Sequence, residues 1–164
     1  MKGEELRAAQ APLKAQYRVQ PEAARITLRA EASLDEGVSC SVETGRQLVK
    51  AGLHPATGGS GELACSGDML LQALAACAGV TLRAVATALD LDVRGGRVTA
   101  EGDLDFRGTL GVDREAPVGF SRIRVRFQLE GEASSEQREK LLSLTERYCV
   151  VLQTLRRGTE VLLA

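Results

Sequence analysis

The chain has 164 residues, of which 44% are hydrophobic and 26% are charged, so it is long enough for one domain with a sizeable core. Its formal net charge of −1 provides no field that would attract nucleic acid or acidic lipid. The first ten residues contain no apolar stretch typical of a secretory signal, which predicts a cytoplasmic protein without a membrane anchor. In that reducing compartment, cysteines are expected to remain thiols.

The first part of the chain predicts a helix followed by a β-hairpin. Residues 3–16 are rich in helix-forming side chains, although Pro12 interrupts the pattern. Residues 25–32 and 38–42 alternate between apolar and polar side chains, and the short segment that separates them is typical of a turn. Cys40 lies on the apolar side of the second strand and is interpreted as a small buried hydrophobic residue.

A long apolar segment dominates the middle of the chain, after a short predicted strand at 47–51 and a glycine-rich loop at 54–62. Residues 66–91 lack proline and are rich in alanine and leucine, which predicts a helix. Four residues between Met69 and Leu89 are clearly polar: Gln72, Thr81, Arg83 and Thr87. A helix that is apolar on most of its faces is expected to be buried. Its longest unbroken apolar run ends at Val80, well short of the ~18 residues of a membrane span, so a core helix is predicted.

The second half predicts another hairpin and another helix. Residues 98–106 and 123–129 alternate as two strands. Three arginines share the polar side of the second strand and are interpreted as an exposed sheet face: Arg122, Arg124 and Arg126. Ser134 and Gln137 match a capping box, which predicts a helix at 135–148. The remaining residues are expected to end in a short apolar strand.

Two hairpins and two main helices favour an α+β fold over a wound parallel sheet. A helix that is apolar nearly all round needs other groups packed on every side, whereas the sheet of one chain can shield one side. We therefore expect the remaining cover to come from a second copy of the chain, in an obligate homodimer.

The residues that could carry chemistry are few. The sequence has no P-loop and no dinucleotide-binding glycine motif, and its one histidine, His54, gives little support to a catalytic triad. No pair of cysteines has the spacing of a zinc site, so no metal or cofactor is predicted. Cys77 and Cys149 remain; they lie 72 positions apart, and inert packing is the common role of such cysteines. Cys65, just before the long helix, has no predicted role.

Three segments resemble the OsmC/Ohr family of thiol-dependent hydroperoxide reductases. They are DMLLQALAACAGVTL, EGDLDFRGTLGVDREAPVGFSRIRVRF and ERYCVVLQTL. The resemblance covers about residues 25–164 in the family's order. Residues 1–22 resemble the helical N-terminal extension of some members, so residues 1–164 are predicted to be a single OsmC/Ohr-like domain.

The resemblance implies an intertwined homodimer in which antiparallel sheets wrap around long buried central helices. It also implies a thiol peroxidase for organic hydroperoxides, and in some members for hydrogen peroxide, that uses neither a metal nor a cofactor. Cys77 would be the peroxidatic cysteine, which becomes a sulfenic acid, and Cys149 the resolving cysteine. A cellular dithiol of the lipoyl type would reduce the resulting disulfide.

The chain departs from the family pattern beside the reactive cysteine. The family glutamate lies ten residues before that cysteine, where this chain has Gly67. Asp68 could replace it only if the helix began later, because nine residues of continuous helix place two side chains on opposite sides. Asp68 also has a structural role open to it, since it would complement the positive end of the helix dipole.

Cys77 lies several turns inside its helix, so the N-terminus of that helix cannot activate it, and a cation is expected to do so. The candidates precede residue 60, in the same chain or in the partner subunit: Arg25, Arg29 and Arg46, of which Arg46 is favoured. Two other interpretations stay open. The chain could be a family member without efficient peroxidase activity that binds a small molecule at the dimer interface, or a structural module with two core cysteines.

Overall fold

The computed structural model describes residues 3–34, 40–42 and 51–163. The α-helices are α1 (Gly3–Val19), α2 (Ser66–Ala88), α3 (Phe106–Thr109), α4 (Ser135–Tyr148) and α5 (Val150–Arg157). The strands are β1 (Arg25–Leu34), β2 (Cys40–Val42), β3 (Ala51–Gly52), β4 (Ala64–Cys65), β5 (Gly95–Asp105) and β6 (Arg122–Glu130). Two 3₁₀ turns lie at Pro21–Ala24 and Pro55–Thr57. The fold therefore mixes helices with sheets, as predicted.

Four strands form one sheet in the order β2-β1-β5-β6, and β3 pairs with β4 in parallel. The first predicted hairpin is confirmed, because β1 and β2 are antiparallel with Ala32 opposite Val42. The second is confirmed as well: the Arg94 N–H donates to Glu130 O at 3.0 Å, and the Ser121 N–H donates to Asp103 O at 2.9 Å. From the first of these bonds to the second, the residue number rises along β5, from 94 to 103, and falls along β6, from 130 to 121. The two strands therefore run antiparallel. Residues 47–50 of the predicted third strand lie outside the described residues.

Two compact units of residues can be distinguished within the chain. The first comprises Met1–Arg29, Thr44–Leu71 and Glu101–Arg124. The second comprises Ala30–Glu43, Gln72–Ala100 and Val125–Ala164. Each unit contains buried apolar side chains of its own.

Helix α1 belongs to the first unit and continues through Pro12, three residues beyond the predicted end. Its side chains reach the 3₁₀ turn at Pro55–Thr57: the Tyr17 hydroxyl donates to Ala56 O at 2.7 Å, and the Gln10 amide donates to Thr57 O at 3.2 Å. Tyr17 is 3% exposed and packs in a cluster with Ala24, Phe106 and Leu110. The N-terminal helix is thus anchored by packing and by hydrogen bonds.

Helix α2 is the predicted long apolar helix. It ends at Ala88 rather than at residue 91, because Asp90 takes a left-handed conformation (φ 51°) that stops the helix. One side is fully buried and includes Leu71, Leu74, Ala75, Ala78 and Leu82. The other side exposes Met69, Leu70 and Val80 by 37–38%. By its length and its mean hydropathy of 1.6, α2 is long and apolar enough to cross a membrane. The length of its longest unbroken apolar run did not indicate this. The core helices of soluble proteins meet the same two criteria.

The C-terminal prediction was wrong in one respect. The capping box of Ser134 and Gln137 is present and α4 has the predicted bounds, but the chain then forms a second helix, α5, that was not predicted, and the described residues 158–163 after it do not form the expected strand. Two features explain the helix: the basic last turn, and Gly158, which closes the helix in a left-handed conformation (φ 61°). The segment also opens with two valines, which favour strands, and this obscured the helical signal.

The close pairing of β5 with β6 depends on Gly96. Its φ is 146°, and a Cβ atom there would lie 2.2 Å from the carbonyl oxygen of Gln128. We expect Gly96→Ala to lower the free energy of unfolding by about 2 kcal/mol or more, because both the backbone and the overlap are strained. Urea unfolding at a fixed protein concentration measures the change.

Gly119→Ala is the matched control, since a Cβ atom there has nothing within 4 Å and φ is not positive. It should change the same free energy by less than about 0.5 kcal/mol. Equal values for the two variants would contradict the proposed constraint at Gly96.

Candidate thiol site

The second unit brings together the two cysteines singled out from the sequence. Cys77 lies in the middle of α2 and is half-buried, whereas Cys149 is fully buried at the junction of α4 and α5. Both are free thiols, and the Cys149 S–H group donates a hydrogen bond to the Cys77 sulfur. The fold thus brings into direct contact two side chains that lie 72 positions apart in the sequence.

A sharp break between two helices positions Cys149. Its N–H group donates to Thr145 O at 2.9 Å, which ends α4, and its own carbonyl accepts from the Gln153 N–H at 2.9 Å, which starts α5. The backbone between these bonds is extended (φ −70°, ψ 106°). Cys149 is therefore both the C-cap of α4 and the N-cap of α5.

Hydrogen bonds on both sides hold this break in place. At the start of α4, the Arg138 guanidinium donates to the carbonyl oxygens of Leu129, Gly131 and Ala133 at 2.8–3.0 Å. At its end, Glu146 binds α5: its carboxylate accepts from Arg156, and its carbonyl accepts from the Gln153 amide at 2.7 Å. The direction of α5 is set by these bonds.

The surroundings of Cys77 have opposing effects on its thiol. Burial raises the pKa and is the largest single influence. Hydrogen bonds to the sulfur lower it, and they come from the Val151 N–H, the Cys149 thiol, the Thr81 hydroxyl and the Val150 N–H. Together they outweigh burial, so the pKa of Cys77 is lowered from the ordinary value of a cysteine.

Cys149 is affected in the opposite direction. Burial, the largest influence, raises its pKa to about 11, and it is raised further because this thiol donates its proton to Cys77 and would carry a like charge beside it. The N–H groups of Leu152 and Val151 oppose the rise only in part. When the pair loses one proton, Cys77 is therefore the thiol that ionises, while Cys149 keeps its proton.

The structure shows donors to Cys77 that the sequence did not predict. The N-terminus of the helix that carries Cys77 is indeed too far away, but α5 points its own first-turn N–H groups at the sulfur. The prediction missed them because it had no helix after Cys149. The basic end and the glycine of α5 were the signal that could have revealed it.

The predicted arginine partners are not placed beside Cys77 by the described part of the structure. Arg25 is largely exposed and lies 3.9 Å from the Asp105 carboxylate. Arg46 and the side chain of Arg29 lie outside the described residues, as does the side chain of Cys40. Within that described part, the strongest influences on Cys77 are neutral groups.

No carboxylate of α2 replaces the family glutamate. Asp68 could have replaced that glutamate only if the helix began after it. The helix begins at Ser66 and continues past Cys77 without a break, so Asp68 and Cys77 lie on opposite sides of it. Asp68 lies in the first turn, as predicted; burial raises its pKa, and the nearby His54 partly offsets this. Its position supports the structural role rather than a catalytic one.

The first unit contains a cavity of about 410 Å³ that the sequence did not predict. Its walls are mostly apolar, and His54 and the partly buried Cys65 contribute to them. The His54 ring stacks on Phe106 with 5.1 Å between ring centres, and its Nδ1 accepts from the Ala56 N–H at 3.0 Å. Among the described residues, no cluster of three or more metal-binding side chains occurs here or elsewhere.

Comparison with known proteins agrees with this arrangement. The profile of the OsmC-like protein family matches residues 59–163, which include both cysteines. The chain belongs to the OsmC-like family. No curated protein matches it. The crystal structure of an OsmC-like hydroperoxide resistance protein from Jannaschia sp. CCS1 superimposes with a TM-score of 0.58 at 13% identity, over 85% of this chain and 91% of that one.

These comparisons confirm the resemblance inferred from the sequence and the OsmC-like fold. At 13% identity the crystal structure supports the fold alone.

The opposed pKa shifts predict which thiol reacts first. Because the pKa of Cys77 is lowered, a larger fraction of its thiol is ionised than in an ordinary cysteine at any pH below ~8.5, the usual cysteine pKa. Iodoacetamide near neutral pH should therefore alkylate Cys77 well before Cys149, whose pKa is about 11 and which is fully buried. Mass spectrometry of the two peptides over time measures both rates.

The same reaction in urea is the control, since both thiols regain ordinary pKa values there and should react at similar rates. Faster alkylation of Cys149 than of Cys77 in the folded protein would be inconsistent with the opposed directions of the two pKa shifts.

Proposed function

We propose that the protein is a thiol peroxidase that reduces organic hydroperoxides, with Cys77 as the peroxidatic cysteine and Cys149 as the resolving cysteine. The observation that carries this proposal is the hydrogen bond between two thiols whose pKa values are shifted in opposite directions. Core cysteines that merely fill space need no such pairing. A nucleophile beside a proton donor is what reduction of a peroxide requires.

In the first step, the Cys77 thiolate attacks one oxygen of the hydroperoxide. A sulfur–oxygen bond forms and the oxygen–oxygen bond breaks, so sulfur is oxidised to a sulfenic acid and the peroxide is reduced. The departing alkoxide takes the proton of the Cys149 thiol and leaves as an alcohol.

In the second step, the resulting Cys149 thiolate attacks the Cys77 sulfur. The sulfur–sulfur bond forms, the sulfur–oxygen bond breaks, and the hydroxide takes a proton from solvent to become water. The high pKa of Cys149, about 11, makes its thiolate a strong nucleophile once formed. An external dithiol, of the lipoyl type by family resemblance, then reduces the disulfide in the cytoplasm, where such reductants are kept.

We further propose that the protein functions as a homodimer. The support is the side of α2 that leaves Met69, Leu70 and Val80 more than a third exposed in the single chain. Apolar residues repeated along one helix face need cover, and a second copy of the same face would provide it.

Sedimentation tests this assembly. Because the exposed apolar side of α2 has to be covered, we expect a dimer at every concentration at which the protein stays folded. A stable folded monomer at low micromolar concentration would exclude an obligate dimer.

The peroxidase cycle makes a quantitative prediction for thiol titration. One equivalent of an organic hydroperoxide should remove two thiols per chain from the reduced protein, because Cys77 and Cys149 form one disulfide. The Cys77→Ser variant should lose none, since the nucleophile is gone. Free thiols are counted before and after the addition of peroxide.

Two variants serve as controls for this titration. Cys65→Ser should lose two thiols as the wild type does. Cys149→Ser should still react at Cys77 but accumulate a sulfenic acid that over-oxidises, because no thiol resolves it. If Cys77→Ser consumed peroxide as fast as wild type, the assignment of the nucleophile would be wrong.

Two observations favour a second function. The family glutamate is absent at Gly67, and the first unit holds a largely apolar cavity of about 410 Å³, a size that suits a small molecule. An OsmC-like protein that binds a small apolar molecule without efficient turnover would fit these features. The same titration discriminates, because such a protein would keep all its thiols after one equivalent of hydroperoxide.

A further inference from the structure

We infer that the cavity of the first unit binds an uncharged, largely apolar molecule that carries one hydrogen-bond acceptor, and that the ring N–H group of His54 donates to that acceptor. The inference rests on the binding function given above as the second candidate, and it names the class of its ligand. It does not depend on turnover at Cys77 and Cys149, which are not among the residues that line the cavity.

The turn that carries His54 is tightly hydrogen-bonded, so the position of the ring is fixed. The His54 carbonyl oxygen accepts hydrogen bonds from the Thr57 N–H at 2.8 Å, the Thr57 hydroxyl at 2.9 Å and the Gly59 N–H at 3.1 Å. The ring itself stacks on Phe106, which is 5% exposed, with 22° between the two ring planes. A side chain that is held in this way loses little conformational freedom when a ligand binds to it.

Helix α1 holds the same turn. The Tyr17 hydroxyl donates to Ala56 O at 2.7 Å, and Tyr17 packs in the same buried cluster as Phe106. The contact between α1 and the turn is close, because a Cβ atom at Gly58 would lie 3.4 Å from a side-chain atom of Gln10. The N-terminal helix thus supports the site, although no described residue of this helix lines the cavity.

One nitrogen of the His54 ring is available to a ligand. Nδ1 accepts from the Ala56 N–H at 3.0 Å, and in a neutral imidazole whose Nδ1 accepts, the proton lies on Nε2. Nε2 has no hydrogen-bond partner among the described residues. It is not a fully buried atom either, since no side-chain nitrogen or oxygen of those residues is both buried and unpaired. The ring therefore offers one accessible donor and no free acceptor.

The other polar side chains that line the cavity offer no equivalent donor. The Thr57 hydroxyl already donates to His54 O, and the thiol of Cys65 is a weak donor. Ser66 and Thr109 are exposed, so water competes for their hydroxyl groups. An acceptor on a bound molecule therefore gains most by facing His54.

The charge of the cavity wall limits the ligand to an uncharged molecule. None of the described residues that line it is an aspartate, glutamate, lysine or arginine. An anionic group would lose its hydration there without a cationic partner, and the nearby carboxylate of Asp68, which interacts electrostatically with His54, would repel it. The oxygen of a ketone, ester or ether accepts the same hydrogen bond at a lower cost of desolvation. The apolar part of the molecule would pack against Leu104 and Phe106 in a volume of about 410 Å³.

The test follows the alkylation of Cys65, a half-buried thiol on the cavity wall, by iodoacetamide in the full-length reduced protein. A bound molecule should slow this reaction, and the concentration that halves the rate ranks the probes. Acetophenone, isopropylbenzene and benzoate are similar in shape and carry a neutral acceptor, no acceptor and an anion. Acetophenone should protect Cys65 at a concentration about fivefold lower than isopropylbenzene, and benzoate should not protect it. A purely apolar cavity would instead favour isopropylbenzene, the most hydrophobic of the three.

Two substitutions separate the ring N–H group of His54 from its role in the turn. His54→Gln carries an amide N–H group about as far from the backbone as Nε2 and should keep the preference for acetophenone. His54→Asn keeps an acceptor that can bond to the Ala56 N–H but is too short to replace Nε2, so it should lose the preference. Thr109→Val removes a hydroxyl from an exposed lining position and should change nothing. Circular dichroism checks that each variant is folded, and the wild-type ranking needs no variant.

Three results would overturn the inference. They are protection of Cys65 by isopropylbenzene or benzoate at least as strong as that by acetophenone, an equal preference in wild type and His54→Asn, and protection of Cys77 as strong as that of Cys65, which would place the molecule outside the cavity. In the first case a compound still binds in the cavity, so the binding function stands while the inference fails. If no compound protects Cys65, for example because a second copy of the chain fills the cavity, the inference and the binding function both fail.

Discussion

The hydrogen bond from the Cys149 thiol to the Cys77 sulfur is the interaction on which the proposed chemistry of this protein depends. Two identical side chains in contact acquire different properties because one receives hydrogen bonds from several sides and the other is fully buried. N–H groups of α5 act on both sulfurs, so the asymmetry follows from the complete burial of Cys149 and from the additional hydrogen bonds that Cys77 receives. A pair that shared its surroundings evenly would have no preferred nucleophile.

This asymmetry depends on a break between two helices. If α4 continued without interruption, the N–H groups of residues 150 and 151 would bond within the helix and could not reach Cys77. The extended backbone at Cys149 frees them, and Arg138, Glu146 and Arg156 hold the helices on either side. Residues distant from the sulfurs thus contribute to the ionisation of Cys77 by fixing the direction of α5.

Much of the fold could be predicted from local patterns, because alternation and helical spacing record which face of an element is buried. Both hairpins, α2, and α4 with its cap at Ser134 followed from such patterns. The pairing of Cys77 with Cys149 came from family resemblance, since spacing alone says nothing about contacts across 72 positions. The donors from α5 were missed because every residue type except proline has a backbone N–H group, so these donors leave no mark in the sequence.

The complete burial of Cys149 affects the return half of the proposed cycle. Once the disulfide has formed, an incoming thiolate meets the Cys77 sulfur first, because Cys77 is the more exposed partner. The group that must then leave is the Cys149 thiolate, and a thiol with a pKa of about 11 leaves slowly in thiol–disulfide exchange. The arrangement that favours oxidation therefore makes reduction the slower half, so turnover is governed by the supply and strength of the reducing dithiol.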